Sequence, residues 1–460
     1  MGEYEPNKKF PVSMKQVADE IKEAGYIPGI WSSPFVAHET ASVWKTHPEW
    51  ILRDQEGEPY LFPMNDTVYY VFDITNIETY DYFRELYHHF TYEWGYVYHK
   101  LDFTRAAVIY EDADFTDKKV TLAQAYYRAV KAIREGMGED AFFLMCGGLY
   151  DPIIGLVDAQ RTGSDVLSMW SSTINKGGKT APYTIRQSLM RYYMNRWWAN
   201  DPDALMIRRN ETMERGLRLT YGLLTDEEVK TSVINQFAGG GIMCQTEPLD
   251  RIAEERLMEI RHILPVIQTV VRPLALMSGE RFPGAVDVYV PKTEVHCVCL
   301  INWSDSEEQP VTLRMADIFG DRENTEMPTE DEMPEEYVVC DFYSGEYRVQ
   351  VSVSDTVAFQ ALKPHSATVL KVERADGSRP VIVASDGHYS MGAECEALEI
   401  RDEKLIVKRK PILPVETHYQ ILLPAGYSYQ GEKVVAVTFE RGQEEAKLEV
   451  EYKSARRVTS

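Results

Sequence analysis

Between Tyr96 and Trp170 the chain carries short apolar runs, YVYHKLDF and FFLMCGG, each ending in polar residues or glycines, followed by LVDAQRTGSD. A short, near-continuous apolar run of this kind reads as a parallel strand buried on both faces. In a parallel α/β barrel the reactive side chains stand at the carboxyl ends of such strands, where the βα loops gather. Asp102 and Asp165 lie at ends of this type. The pattern therefore constrains the fold class and also where a site can be built.

The surrounding sequence extends the alternation. Val12 to Ala24 has helical spacing, with Ser13 as a cap and Gly25 as a stop. Tyr26 to Trp31 reads as a strand ending in SSP, and Ser32 to Pro63 as a long loop containing Trp44 and Trp50. Val68 to Thr75 reads as the next barrel strand, ending in Asp73, and Glu78 to Trp94 as a helix. Val108 to Thr116 is an acidic loop, and Thr121 to Gly136 a strongly periodic helix. Helices follow over Pro182 to Arg196, Thr225 to Phe237 and Pro248 to Leu264. Between them WWANDPDALMI supplies a strand end with Asp201 and Asp203, and GGGIMC a further strand.

This order predicts a (β/α)8 TIM-type barrel over residues 1–272. A doubly wound sheet alternates similarly, but no GxGxxG or P-loop marks a nucleotide fold. Beyond Val271 short alternating runs such as VDVYVP, VHCVCLINW and ATVLKV predict an antiparallel β-sandwich over 273–373. Gly320 to Glu336 is an acidic insertion, and ADGSRP resembles a linker. A second small β domain is expected over 380–460.

A net charge of -23 over 460 residues argues against nucleic acid and anionic membrane as partners. The expected partner is a small-molecule or oligosaccharide substrate, and a homo-oligomer stays open. The 28 Tyr, 16 Phe and 8 Trp suit stacking on sugar rings, although aromatics also fill cores. Six scattered cysteines show no zinc spacing, so no metal and no cofactor are expected. Cys297 and Cys299 alternate, so in a strand they share one face, a packing pattern. The opening MGEYEPNKKFPVSMKQ lacks an apolar core for a signal peptide, and a cytoplasmic protein is the expectation.

Paired carboxylates from different strands are what glycosidic bond cleavage requires. In a strand, Lys100 and Asp102 project to the same face, and a neighbouring lysine keeps a carboxylate ionised, as a nucleophile must be. An ordinary ion pair at a strand end explains the same two residues. Asp165 reads either as a catalytic acid or as a loop aspartate capping the next helix, and spacing alone favours the cap. Arg161 opposes a raised pKa at Asp165 unless it is aimed at substrate. Cys146 lacks a nearby histidine base, and the glycines after it let backbone approach a ligand. A Schiff-base role for Lys100 is disfavoured by the adjacent carboxylate.

In this order GYIPGIW, HPEW, YHKLDF, the CGG stretch running into GLVDAQRTGSD, and NDPDALMIRR resemble the α-galactosidase family grouped with raffinose synthases as glycoside hydrolase family 36. The resemblance runs from Gly2 to about Pro265. It implies a retaining hydrolase releasing terminal α-galactosyl residues, with Asp102 as nucleophile and Asp165 as general acid/base. It also implies a sugar subsite lined by Trp31, Lys100 and Cys146, with Asp73, Arg161 and Asp201 as further substrate contacts. Galactosyl transfer of the raffinose-synthase type, or sugar binding without turnover, is the alternative. The sequence departs from the family pattern in three places. GEY at Gly2 to Tyr4 stands where GDW is usual, so the first barrel strand and its two aspartates are expected to be missing. The large amino-terminal sandwich is likewise expected to be missing, and SSP replaces the commoner FEP. A fragment of a longer protein is therefore expected.

Overall fold

The computed structural model describes residues 2, 4–64, 67–170, 180–208, 224–247, 249–274, 283–319, 336–410 and 415–452. Two compact units divide the chain. One comprises Met1–Arg161 with Arg196–Asp201, the other Thr162–Asn195 with Pro202–Ser460.

The first unit begins with helix α1 (Met14–Glu23), whose N-terminus is closed by the Ser13 side chain accepting from Gln16 N–H. Strand β1 (Gly29–Ser32) follows. Next come β2 (Val36–His38), the short helix α2 (Val43–Thr46), β3 (Leu61–Met64) and β4 (Thr67–Val71). Helix α3 (Ile77–His88) continues into a π turn and leads to β5 (Tyr98–Leu101). Helix α4 (Leu122–Met137) opens with a reciprocal capping box between Thr121 and Gln124 and leads to β6 (Phe142–Met145). Strands β7 (Ala159–Arg161) and β8 (Ala199–Asp201) complete the unit.

Strands β1, β5, β6, β7 and β8 hydrogen-bond side by side in that order, all parallel. Helices α3 and α4 pack so tightly that a Cβ at Gly136 would collide with the Arg84 carbonyl. The expectation for Val68 to Thr75 is corrected. That run is not a barrel strand, because β4 pairs antiparallel with β2 and β3 in a separate three-stranded sheet. Its apolar side chains are used by a small core of Val36, Leu52, Phe62 and Val71.

In the second unit α5 (Ala181–Met190) is followed by α6 (Asp226–Ala238), which is buried on nearly all sides, and Thr225 with Glu228 forms a capping box on α6. GGGIMC is not a strand; it makes one isolated parallel bridge, Ala204 with Cys244. The predicted closing helix is broken into short turns around α7 (Glu254–Glu259).

A six-stranded sheet contains β9 (Val270–Pro273), β10 (Ala285–Val290), β11 (Val295–Ile301), β13 (Tyr337–Asp341), β14 (Tyr347–Val351) and β16 (Ala367–Arg374). A two-stranded antiparallel sheet of β12 (Gln309–Arg314) and β15 (Thr356–Leu362) packs against it. Alternation decides which side chains go to each face. Val298, Val339, Leu370 and Val372 meet Val311, Leu313 and Val357 of that pair. Cys297, Cys299, Cys340 and Val369 turn the other way, into a core with Ile185, Val233 and Phe237 of α5 and α6. The sharing of one face by Cys297 and Cys299 thus follows from the strand. Beyond it β17 (Val381–Ser385), β20 (Thr417–Leu422) and β22 (Val434–Phe439) form one small sheet. Another is formed by β18 (Ala397–Arg401), β19 (Lys404–Lys408) and β23 (Glu445–Glu449). Among the described residues no helix is long and apolar enough to cross a membrane. Nearly all of the acidic insertion at Gly320 to Glu336 lies outside the described residues.

Candidate active site

Strand register assembles the site. Leu101 is level with Met145, Met145 with Gln160, and Gln160 with Asn200. The next residue on each chain is Asp102, Cys146, Arg161 and Asp201, so these four form a row along the carboxyl edge of the sheet. Trp31 and Lys100 are level with one another two positions earlier, and side chains two apart share a face. Six of the eight residues singled out by sequence therefore converge on one edge of the first unit, although they come from distant parts of the chain.

Asp102 is half-buried and held on both oxygens. Oδ1 accepts from Phe103 N–H at 2.7 Å, and Oδ2 from Trp31 Nε1–H at 3.3 Å. Phe103 makes the first bond possible by adopting a left-handed backbone, φ 53°, an uncommon conformation for a residue with a side chain. The Trp31 ring, 46% exposed, stands at the site with its edge nitrogen committed to the carboxylate. Two neutral N–H donors thus orient Asp102.

Burial pushes the Cys146 thiol up to about 12; Arg161 and Lys100 oppose the rise, and Asp102 adds to it. The thiol is therefore protonated at neutral pH and is not a thiolate nucleophile. Arg161 donates from Nε to Asp201 Oδ2 at 3.2 Å, both side chains being almost wholly buried. Such a buried pair is rigid and gives the row a fixed floor.

The glycines after Cys146 have a reason within the fold. A Cβ at Gly148 would collide with the Tyr126 and Thr104 hydroxyls, which bond to each other at 2.7 Å. Gly147 has φ 62°, and its carbonyl accepts from Arg105 N–H at 2.9 Å. At Gly148 the close approach is of the chain to itself, and at Gly147 a Cβ would lie 3.2 Å from Asp102 Oδ1.

Asp73 does not stand on the barrel edge. It is 2% exposed; Oδ1 accepts from Thr75 N–H and Oγ1–H, and Oδ2 from Thr116 N–H at 2.8 Å. Its carboxylate fastens the loop after α3 and β5 to the antiparallel sheet. The substrate contact expected of it is revised accordingly.

Asp165 belongs to the second unit and is exposed. It does not cap α5, whose N-cap is Thr180. Its two neighbours are pinned: Ser164 N–H donates to Gln187 Oε1 at 3.0 Å, and Val166 N–H to Asp203 Oδ2 at 2.7 Å. Asp203 itself has φ 73° and is 9% exposed. Sequence reading named Asp203 as part of a strand end but missed this anchoring role, since the bond spans a loop with no periodic signal.

The Melibiase family model matches residues 1–143, a segment that includes Trp31, Lys100 and Asp102. The α-galactosidase of Thermus thermophilus, solved in complex with p-nitrophenyl α-D-galactopyranoside, is similar at 25% identity with a TM-score of 0.50. That match covers 62% of this chain and 55% of the Thermus chain, so this chain spans about half the length of that relative. Two less similar sequences share the fold. α-Galactosidase I of Mortierella vinacea is 13% identical, with TM-score 0.51 over 80% of this chain and 81% of its own. A GH27 β-L-arabinopyranosidase of Geobacillus stearothermophilus is 15% identical, with TM-score 0.55 over 80% and 79%. The chain has the TIM-like barrel and carboxyl-terminal antiparallel sheets of α-galactosidase-type glycoside hydrolases.

Proposed function

We propose that the protein is a retaining glycoside hydrolase that releases terminal α-galactosyl residues, and that it is of the family 36 type. The observation that carries this is the doubly held Asp102 carboxylate at a barrel strand end, inside the segment similar to the Melibiase family. An attacking oxygen must be fixed in direction, and donors on both oxygens do that.

In the reaction an Asp102 oxygen bonds to the sugar C1 as the C1–O bond to the leaving group breaks. Asp165 gives its proton to the departing oxygen. Asp165 then takes a proton from water, whose oxygen replaces Asp102 at C1. Trp31 offers an apolar ring face to the sugar, and Lys100 and Cys146 offer hydrogen-bond donors to its hydroxyls. The buried Arg161–Asp201 pair holds the edge of the subsite.

Comparison of p-nitrophenyl α-galactoside with its β-anomer and with the α-glucoside tests the substrate class. Hydrolysis of the α-galactoside alone is expected. Equal rates on all three, or cleavage of the β-anomer only, would contradict it.

A further inference from the structure

A cleft in the second unit is lined by Arg261, Arg409, Lys410, His388 and Glu394, among others. Arg409 is 8% exposed, yet its guanidinium meets neutral acceptors: Thr417 Oγ1 at 2.6 Å and the Val415 carbonyl at 3.4 Å. Its flat face lies over the Phe439 ring at 4.6 Å. The remaining Nε–H is buried with no acceptor among the described residues, and so is Nε–H of Arg261.

A buried guanidinium without a carboxylate partner is costly, and an unsatisfied buried donor adds to the cost. Glu394 does not supply the missing charge. Its oxygens are taken by Ser390 Oγ–H, Gly392 N–H and the Tyr419 hydroxyl, at 2.7, 2.7 and 3.1 Å. Burial keeps His388 neutral by lowering its pKa. Three cations therefore face one carboxylate, an excess of two positive charges on a chain whose net charge is -23.

We infer that this cleft binds a phosphate group, free or carried as a monoester. The charge excess matches a phosphate dianion, and arginine forks suit its oxygens. The cleft opens to solvent and offers about 40 Å3. That is roughly three times the ~10–15 Å3 needed for one water by the same measure, enough for a phosphate head.

The test is calorimetric titration of the full chain with inorganic phosphate and with a hexose 6-phosphate, at ionic strength matched with chloride. Saturable binding is expected, weakened about tenfold or more in Arg261→Gln and in Lys410→Ser, since charge-assisted bonds are lost. Lys410 is exposed, so its replacement leaves the fold intact. Equal affinity for both probes identifies free phosphate as the ligand, and tighter binding of the ester identifies a phosphorylated metabolite. No saturable heat from either probe, or unchanged affinity in both variants, overturns the inference.

Discussion

Arg161 and Asp201, neighbours on strands β7 and β8, join through Nε and Oδ2 at 3.2 Å where almost no solvent reaches them. Removing one partner breaks a buried ion pair, which is costly. Asp201→Ala is expected to lower unfolding stability by about 3–5 kcal/mol, measured by urea denaturation. A loss below about 1 kcal/mol would mean that the pair is solvated and contributes as a surface bridge does.

Trp31→Phe keeps a ring at the site and deletes the indole donor to Asp102. The ring is 46% exposed, so stability should change by less than about 1 kcal/mol. Activity should suffer more, with kcat/KM falling roughly tenfold as one donor to a charged oxygen is lost. Steady-state kinetics on an aryl α-galactoside checks this, and an unchanged kcat/KM would remove Trp31 from the orienting role.

Burial lowers the pKa of His99 to about 4, and burial, aided by Arg261, does the same for His262. Unfolded, each takes up its proton near the usual 6.5. Between about pH 6.5 and 4 the unfolded chain therefore binds more protons, and stability falls as pH falls through that window. Each costs on the order of 3 kcal/mol once the pH is below about 4, and almost nothing at neutral pH, where the folded and unfolded imidazoles are both largely neutral. His99→Asn should show a shallower drop than wild type between pH 7 and 4.5 in urea unfolding. An equal drop would show that His99 is protonated while folded.

With its thiol pushed up to about 12, Cys146 should resist iodoacetamide at pH 8 in the folded protein and react once unfolded. Mass spectrometry of the labelled peptide reads this out. Rapid labelling of folded protein would contradict the donor role given to Cys146.

Part of this site was legible in the sequence because it obeys strand periodicity. YHKLDF and FFLMCGG became β5 and β6, and one row of register followed from them. The run ending in Asp73 was misread because a short apolar stretch does not reveal whether its partners are parallel or antiparallel. Partners separated by dozens of residues, such as Trp31 and Asp102, are set by register and cannot be read locally. The left-handed turn at Phe103 was equally hidden, since phenylalanine carries no preference for that conformation. GGGIMC looked like a strand from its apolar residues, but its glycines leave little side-chain surface to pair and pack.

The central claim is that Asp102 forms the bond to the sugar. Asp102→Gly, assayed on an aryl α-galactoside with and without sodium azide, tests it most directly. The account predicts a loss of about 10⁴-fold or more, the scale seen for nucleophile deletion, with partial recovery in azide and formation of the β-galactosyl azide. A variant that keeps substantial activity without azide, or that yields the α-azide, would contradict it.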